Sequence, residues 1–90
     1  MSVNAYVLIN VEPNMIQEVV ERLRAIPRGI VREVLGRYDV VVELEADTEE
    51  DLAGILSHEI NPIPGISSTV TCTWVVTDAS GLGEGRAGSE

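Results

Sequence analysis

Gly36-Arg37-Tyr38-Asp39 is the segment of this 90-residue chain whose residue types best suit a small charged ligand. A turn that presents free backbone N–H groups beside a carboxylate can hold a zwitterion. Asp39 would pair with an ammonium group, and the backbone at Gly36 would face a carboxylate. The same residues also fit a plain hairpin in which Asp39 hydrogen-bonds nearby backbone. The residue types leave both readings open.

The other chemically capable residues lack partners. His58 falls on a helical stretch near Asp51 and Glu59, but no second His gives it a metal-ligand spacing. Cys72 is the sole cysteine. It lies on the apolar face of a β-rich run, which suits a buried structural thiol. Ser67, Ser68 and Thr69 have no His placed to activate them, so a Ser-His-acid nucleophile is not expected. Glu43 and Glu45 share one side of a strand and read as a solvated outer face. Trp74 reads as a core or interface anchor. Gly81-Leu82-Gly83-Glu84-Gly85 does not stand between a strand and a helix, so it is no dinucleotide fingerprint. No catalytic constellation, metal site or cofactor is expected.

The elements that must position the turn follow from periodicity. Asn4 to Val11 alternates apolar residues with a partly apolar opposite face, as in a strand covered on both sides. Asn14 can cap a helix whose third position is Gln17, with Pro13 just upstream. Met15, Ile16, Val19, Val20, Leu23 and Ile26 form that helix's apolar face, and Pro27 stops it. Ile30 to Gly36 and Asp39 to Ala46 are two strands joined by the Gly36–Asp39 hairpin. Asp47 to Asp51 opens a second helix, capped by Asp47 with Glu50 or by Thr48 with Asp51. Leu52, Ile55, Leu56 and Ile60 form its stripe. Ile66 to Thr77 is a last strand rich in threonine and valine.

A repeat fixes how these elements combine. Ala25-Ile26-Pro27-Arg28-Gly29-Ile30-Val31 returns as Asn61-Pro62-Ile63-Pro64-Gly65-Ile66-Ser67. Each copy follows a helix and precedes a strand. Two such units make a split βαβ pair, so the expected fold is an α+β, ferredoxin-like βαββαβ sandwich with an antiparallel four-stranded sheet. Two helices cover only one face of that sheet. Tyr6, Leu8, Leu35, Val41 and Val75 would lie on or near the open face, and a patch of that size marks an interface. Two sheets packed face to face as a symmetric dimer is the simplest solution. The small size points the same way, because a chain this short buries only about 60–65% of its unfolded surface.

Composition limits the partners. Fifteen acids against six bases give a formal charge of −9. Phosphate backbones repel such a surface, and the bases are six scattered arginines with no lysine, so direct nucleic-acid binding is not expected. No apolar run approaches the roughly 20 residues of a membrane span, and the N-terminus lacks a signal-peptide pattern. The expected location is the cytoplasm. From Asp78 to Glu90 the chain is glycine-rich without apolar periodicity, which suits a disordered tail.

The order strand, helix, strand, Gly-x-Tyr-Asp, strand, helix, Ile-Pro-Gly-Ile-x-x-Thr, strand resembles the effector-binding domain of the Lrp/AsnC family, also called the RAM domain. The resemblance covers about residues 4–77. Gly36-Arg37-Tyr38-Asp39 stands at the family's Gly-x-Tyr-Asp turn, and Ile63-Pro64-Gly65-Ile66-Ser67-Ser68-Thr69 at its Pro-Gly-Val-x-x-Thr corner. The first strand starts within a few residues of Met1, so the sequence looks like a stand-alone domain without the helix-turn-helix. The resemblance implies sheet-to-sheet dimers, rings of eight or ten chains, and a small amino acid bound between dimers. It implies that Gly36, Tyr38 and Asp39 contribute to that cleft, with Thr69 and Thr71 nearby. It also implies an effect on transcription through full-length relatives in mixed oligomers, without enzymatic activity. Two departures are Arg28, an extra residue in the first corner, and the glycine-rich tail. Two other readings remain: a dimeric α+β barrel enzyme of the monooxygenase kind, using His58, Asn10 and Trp74, and a purely structural assembly module.

Overall fold

The computed structural model describes residues 2–76. The elements run β1 (Ser2–Val11), α1 (Ile16–Arg24), β2 (Gly29–Glu33), β3 (Val40–Ala46), α2 (Glu49–Ile55) and β4 (Ile66–Val76). They form one antiparallel sheet in the order β2-β3-β1-β4, the ferredoxin-like arrangement the repeat predicts. The glycine-rich segment from Asp78 to Glu90, expected as a disordered tail, lies outside the described residues.

β1 is central because one of its faces is apolar throughout. Val3, Ala5, Val7, Ile9 and Val11 are buried. The first four stand in register with Ala46, Leu44, Val42 and Val40 of β3, which are buried as well. Val19, Val20, Leu23 and Ile26 close the core from α1 and its end, and Leu52, Ile60 and Ile63 close it from α2 and the segment that follows. No polar or charged side chain is buried among the described residues.

The helix ends show where local rules hold and where they yield. Thr48 caps α2, its hydroxyl accepting from the Asp51 N–H at 3.0 Å. Asn14 does not cap α1; Met15 occupies that position, with no side-chain bond. The reason is a turn closed by the Met15 N–H donating to the Glu12 carbonyl at 2.9 Å. That turn places Asn14 inside the bend, one residue before the cap. Beyond α2, Leu56–Ile60 winds into a π-turn, with the Asn61 N–H reaching the Leu56 carbonyl at 2.8 Å. Leu52, Leu56 and Ile60 recur every four residues, longer than the 3.6-residue α period. The slower winding keeps Ile60 in the core.

The two corners match in backbone as well as in sequence. Arg28 follows Pro27 at φ 65°, and Gly65 follows Pro64 at φ 101°. Arg28 therefore takes the left-handed position that Gly65 fills in the second copy, and the residue that looks extra is Gly29. The Arg28 guanidinium reaches Asp47 Oδ1 at 3.4 Å across solvent.

The hairpin is looser than the sequence suggests. β2 leaves the ladder at Glu33, which pairs with Val40, and does not extend to Gly36. The connection is the loop 34–39, closed by the Val34 N–H donating to the Asp39 carbonyl at 3.0 Å. Gly36 sits at its apex with φ 123°.

The open face differs from expectation on β4. Tyr6, Leu8 and Val41 lie on it as expected, but Val75 pairs with Val3, in the helix-side row. The β4 residues of the open face are Val70, Cys72 and Trp74, opposite Leu8, Tyr6 and Asn4. Cys72 is accordingly exposed and not buried. Its face carries no helix, so an apolar alternation in the strand did not translate into burial within one chain.

Candidate functional site

The end of β1 is where the candidate ligand residues gather. The Asp39 N–H donates to the Ile9 carbonyl at 3.0 Å, continuing the β1–β3 ladder by one step. The Val11 N–H then donates to Asp39 Oδ2 at 2.9 Å. The next amide, Glu12 N–H, turns to the other motif and donates to the Gly65 carbonyl at 2.7 Å. Between Asn10 and Val11 the β1–β4 register shifts, so that Val11 pairs with Ile66.

Thr69 and Thr71 approach from β4, opposite Ile9 and Val7. They belong to the helix-side row, at an edge the helices leave open; Thr69 is half-buried and Thr71 exposed. Asp39 and Thr69 thus flank Ile9 from opposite sides, with backbones two inter-strand spacings, about 10 Å, apart. Tyr38 is half-buried, and Gly36 is exposed at the loop apex. Asn10 Nδ2 donates to Ser68 Oγ at 3.2 Å across the same end of the sheet. Both motifs singled out in the sequence therefore border one strand end. Thr71, one further pair along, stands at its margin.

Chemically, this end offers a carboxylate, a glycine-apex loop and threonine hydroxyls. One Asp39 oxygen already accepts a backbone bond, from Val11 of β1. The Val11 and Glu12 amides were not legible in advance, because backbone donors carry no residue-type signature.

The open face is the second candidate surface. Tyr6 and Trp74 pack with ring centroids 4.9 Å apart and planes tilted by 41°. Both remain substantially exposed, Tyr6 at 43% and Trp74 at 37%, and Val70 at 44% and Ile30 at 52% extend the patch. Ordered aromatic surface with water on one side is typical of an interface core. Glu43 and Glu45 also lie on this face, opposite Tyr6 and Asn4, so their carboxylates border the patch.

Shallow grooves also lie elsewhere among the described residues. One of about 410 Å³ is bordered by Arg28, Ala46, Gly54, Ile55 and His58 among others. Another, of about 310 Å³, adjoins Arg22, His58 and Pro62. Neither touches the 36–39 loop, Thr69 or Thr71. The residues an enzyme reading would need are dispersed: His58 is exposed on the π-turn, Asn10 lies at one end of β1, and Trp74 pairs with Asn4 near the other. No set of three His, Cys, Asp or Glu residues among those described could hold a metal ion. No helix of the described residues is long and apolar enough to cross a membrane.

Known proteins agree with this architecture. A hypothetical protein of Pyrococcus horikoshii, PHS023, superposes with a TM-score of 0.79 at 31% identity, covering 84% of this chain and 93% of its own. TTHA0845 of Thermus thermophilus gives a TM-score of 0.78 at 26% identity, over 83% of this chain and 95% of its own. The transcriptional regulator NMB0573 of Neisseria meningitidis, solved as a complex with L-Met, shares the fold with a TM-score of 0.73 at 9% identity, over 84% of this chain and 51% of its own. No curated protein sequence matches. The family described as the Lrp/AsnC ligand binding domain matches residues 4–77, from β1 to the end of β4. By that match, and by the strand order and motif positions that underlie it, the chain belongs to the Lrp/AsnC ligand binding domain family.

Proposed function

We propose that the chain senses a small free amino acid. Asp39 meets the ligand ammonium through Oδ1, since Oδ2 accepts from Val11. The loop backbone at Gly36 meets the carboxylate. Tyr38 borders the ligand, and Thr69, with Thr71, supplies hydroxyls from the other side of β1. The open face pairs with a second copy, and such dimers join into rings of eight or ten with the ligand between dimers. The ligand-binding unit spans residues 1–77 and works in the cytoplasm without enzymatic activity. Ligand-dependent assembly changes how the domain pairs with full-length Lrp/AsnC-type regulators. It does not contact DNA itself, in keeping with a formal charge of −9.

One observation carries this reading: both family motifs converge on one end of β1, with Asp39 bonded to Val11 and Thr69 in register with Ile9. The ligand class is supported by the fold neighbour solved with L-Met. The test is thermal unfolding against a panel of free amino acids. A ligand at ten times its Kd adds about 1.4 kcal/mol, worth roughly 6–11 °C in a domain of this size. One or a few amino acids should raise Tm by that amount, and Asp39→Asn should abolish the shift. A panel without any shift would refute the sensor reading and favour a structural assembly module.

A further inference from the structure

Asp39 does more than face a ligand. Its main chain and side chain hold β1 at two consecutive steps: the N–H on the Ile9 carbonyl at 3.0 Å, and Oδ2 on the Val11 N–H at 2.9 Å. A side-chain acceptor is needed at the second step. The Asp39 carbonyl is turned to the other neighbour, accepting from the Val34 N–H at 3.0 Å, and the Val11 amide bonds the Asp39 side chain instead. A part-buried amide left without an acceptor is costly.

The consequence lies one residue further on. Val11 is where the β1–β4 register shifts, and the Glu12 amide bonds the Gly65 carbonyl at 2.7 Å. Gly65 is closely packed against α1. Its φ is 101°, and a Cβ there would stand 2.8 Å from Met15 Cβ. The path from loop to corner therefore runs Asp39 carboxylate, Val11 N–H, Glu12 N–H, Gly65 carbonyl, and then along β4 through Ile66 to Thr69. It passes through adjacent amides of one strand and no flexible side chain except that of Asp39.

We propose that Asp39 is a positioning residue that locks the Val11–Glu12 segment, and so sets the 36–39 loop and the 63–69 corner at a fixed separation. The functional half rests on the amino-acid reading above: a ligand ammonium on Oδ1 draws on the same carboxylate that holds Val11, so occupancy at the loop is transmitted to Thr69. Asp39→Asn separates the two roles. An asparagine keeps a carbonyl oxygen for Val11 but loses the charge an ammonium needs. Asp39→Ala loses both.

The test is residue-resolved amide hydrogen exchange and amide chemical shifts on the full chain, first without any ligand. Asp39→Ala should speed exchange at Val11 and Glu12 by roughly 10- to 100-fold, the range set by one hydrogen bond to a charged group. It should also shift the amides of Gly65 to Thr69, which Asp39 does not touch. Asp39→Asn should leave exchange within about 3-fold of the parent, because the bond to Val11 survives in weaker, neutral form. A purely local bond would move Val11 alone; unmoved corner amides in Asp39→Ala would overturn the proposal. Should Asp39→Ala fail to fold, the parent protein and Asp39→Asn still decide: an unprotected Val11 amide in the parent, or a corner perturbed as much by asparagine as by ligand, refutes it. Glycine, alanine, methionine and leucine are then titrated separately. If none binds while the exchange pattern holds, the ligand reading fails and the positioning role stands. If one binds at the loop without moving Thr69, the transmission fails and the ligand reading stands.

Discussion

Gly65→Ala offers a stringent test of the packing beneath the candidate site, because two independent costs meet at one carbon. The backbone there has φ 101°, which an L side chain rarely adopts. That strain is worth about 1–2 kcal/mol. The added Cβ would also lie 2.8 Å from Met15 Cβ, 3.1 Å from Val19 Cγ2 and 3.2 Å from Met15 Cε. The Met15 Cε is the end of a flexible chain and can move. The Met15 Cβ and the fully buried Val19 cannot move without shifting α1. Overpacking of this kind costs about 1–3 kcal/mol. The sum, about 2–5 kcal/mol, is a large part of the roughly 5–13 kcal/mol that 90 residues typically supply. Gly36 provides the control, since its φ is 123° but a Cβ there meets nothing within 4 Å. Gly36→Ala should therefore cost only the strain, about 1–2 kcal/mol. Urea unfolding of the parent and both variants, read at constant m, measures the difference. Equal losses for the two alanines would refute the steric part of the argument, and with it the close approach of α1 to the Pro64-Gly65 corner.

Other outcomes follow from the same geometry. Arg28→Gly removes a left-handed non-glycine residue, φ 65°, and an exposed ion pair of 3.4 Å. Relief of strain exceeds the exposed pair, so unfolding free energy should rise by about 0.5–1 kcal/mol. Gly54→Ala replaces a glycine inside α2 that has open space around it; the chain should gain about 1 kcal/mol by the same assay. Cys72, exposed on the open face, should react with a maleimide at the rate of a free thiol in dilute protein. It should become protected as concentration rises if sheets pair through this face, and reactivity independent of concentration would argue against that pairing. Trp74→Ala removes half of the 4.9 Å aromatic pair; it should weaken association by about 2 kcal/mol or more in sedimentation equilibrium while leaving monomer stability nearly unchanged.

The sequence carried the fold because its strongest signals were redundant. The Ile26-Pro27 and Ile63-Pro64 corners, the apolar stripe from Val19 to Ile26 and the unbroken helix-side row of β1 all demanded the same βαββαβ order. Local capping was less legible. Thr48 met its Asp51 partner, but Asn14 was diverted into the Glu12–Met15 turn, which residue types alone do not distinguish from a cap. Arg28 looked like an insertion because a left-handed arginine has no sequence signature, whereas Gly65 in the same role does. The faces of β4 were divided correctly into two sets. Cys72 suits a buried thiol by its apolar alternation, but that alternation does not state which side lacks a helix. At the site, the Gly36–Asp39 turn and the Thr69 corner were visible as motifs. The bonds joining them through Val11 and Glu12 were not, being made by main-chain amides.

The central claim is that an amino acid binds where these motifs meet and thereby governs assembly. Light scattering on the purified protein, with and without single amino acids at millimolar concentration, tests it most directly. The expected result is a dimer that one amino acid converts into, or stabilises as, an eight- or ten-chain ring, and an Asp39→Asn protein that forms dimers but gives no such response. A particle whose mass no amino acid changes, or an Asp39→Asn protein that responds like its parent, would contradict it.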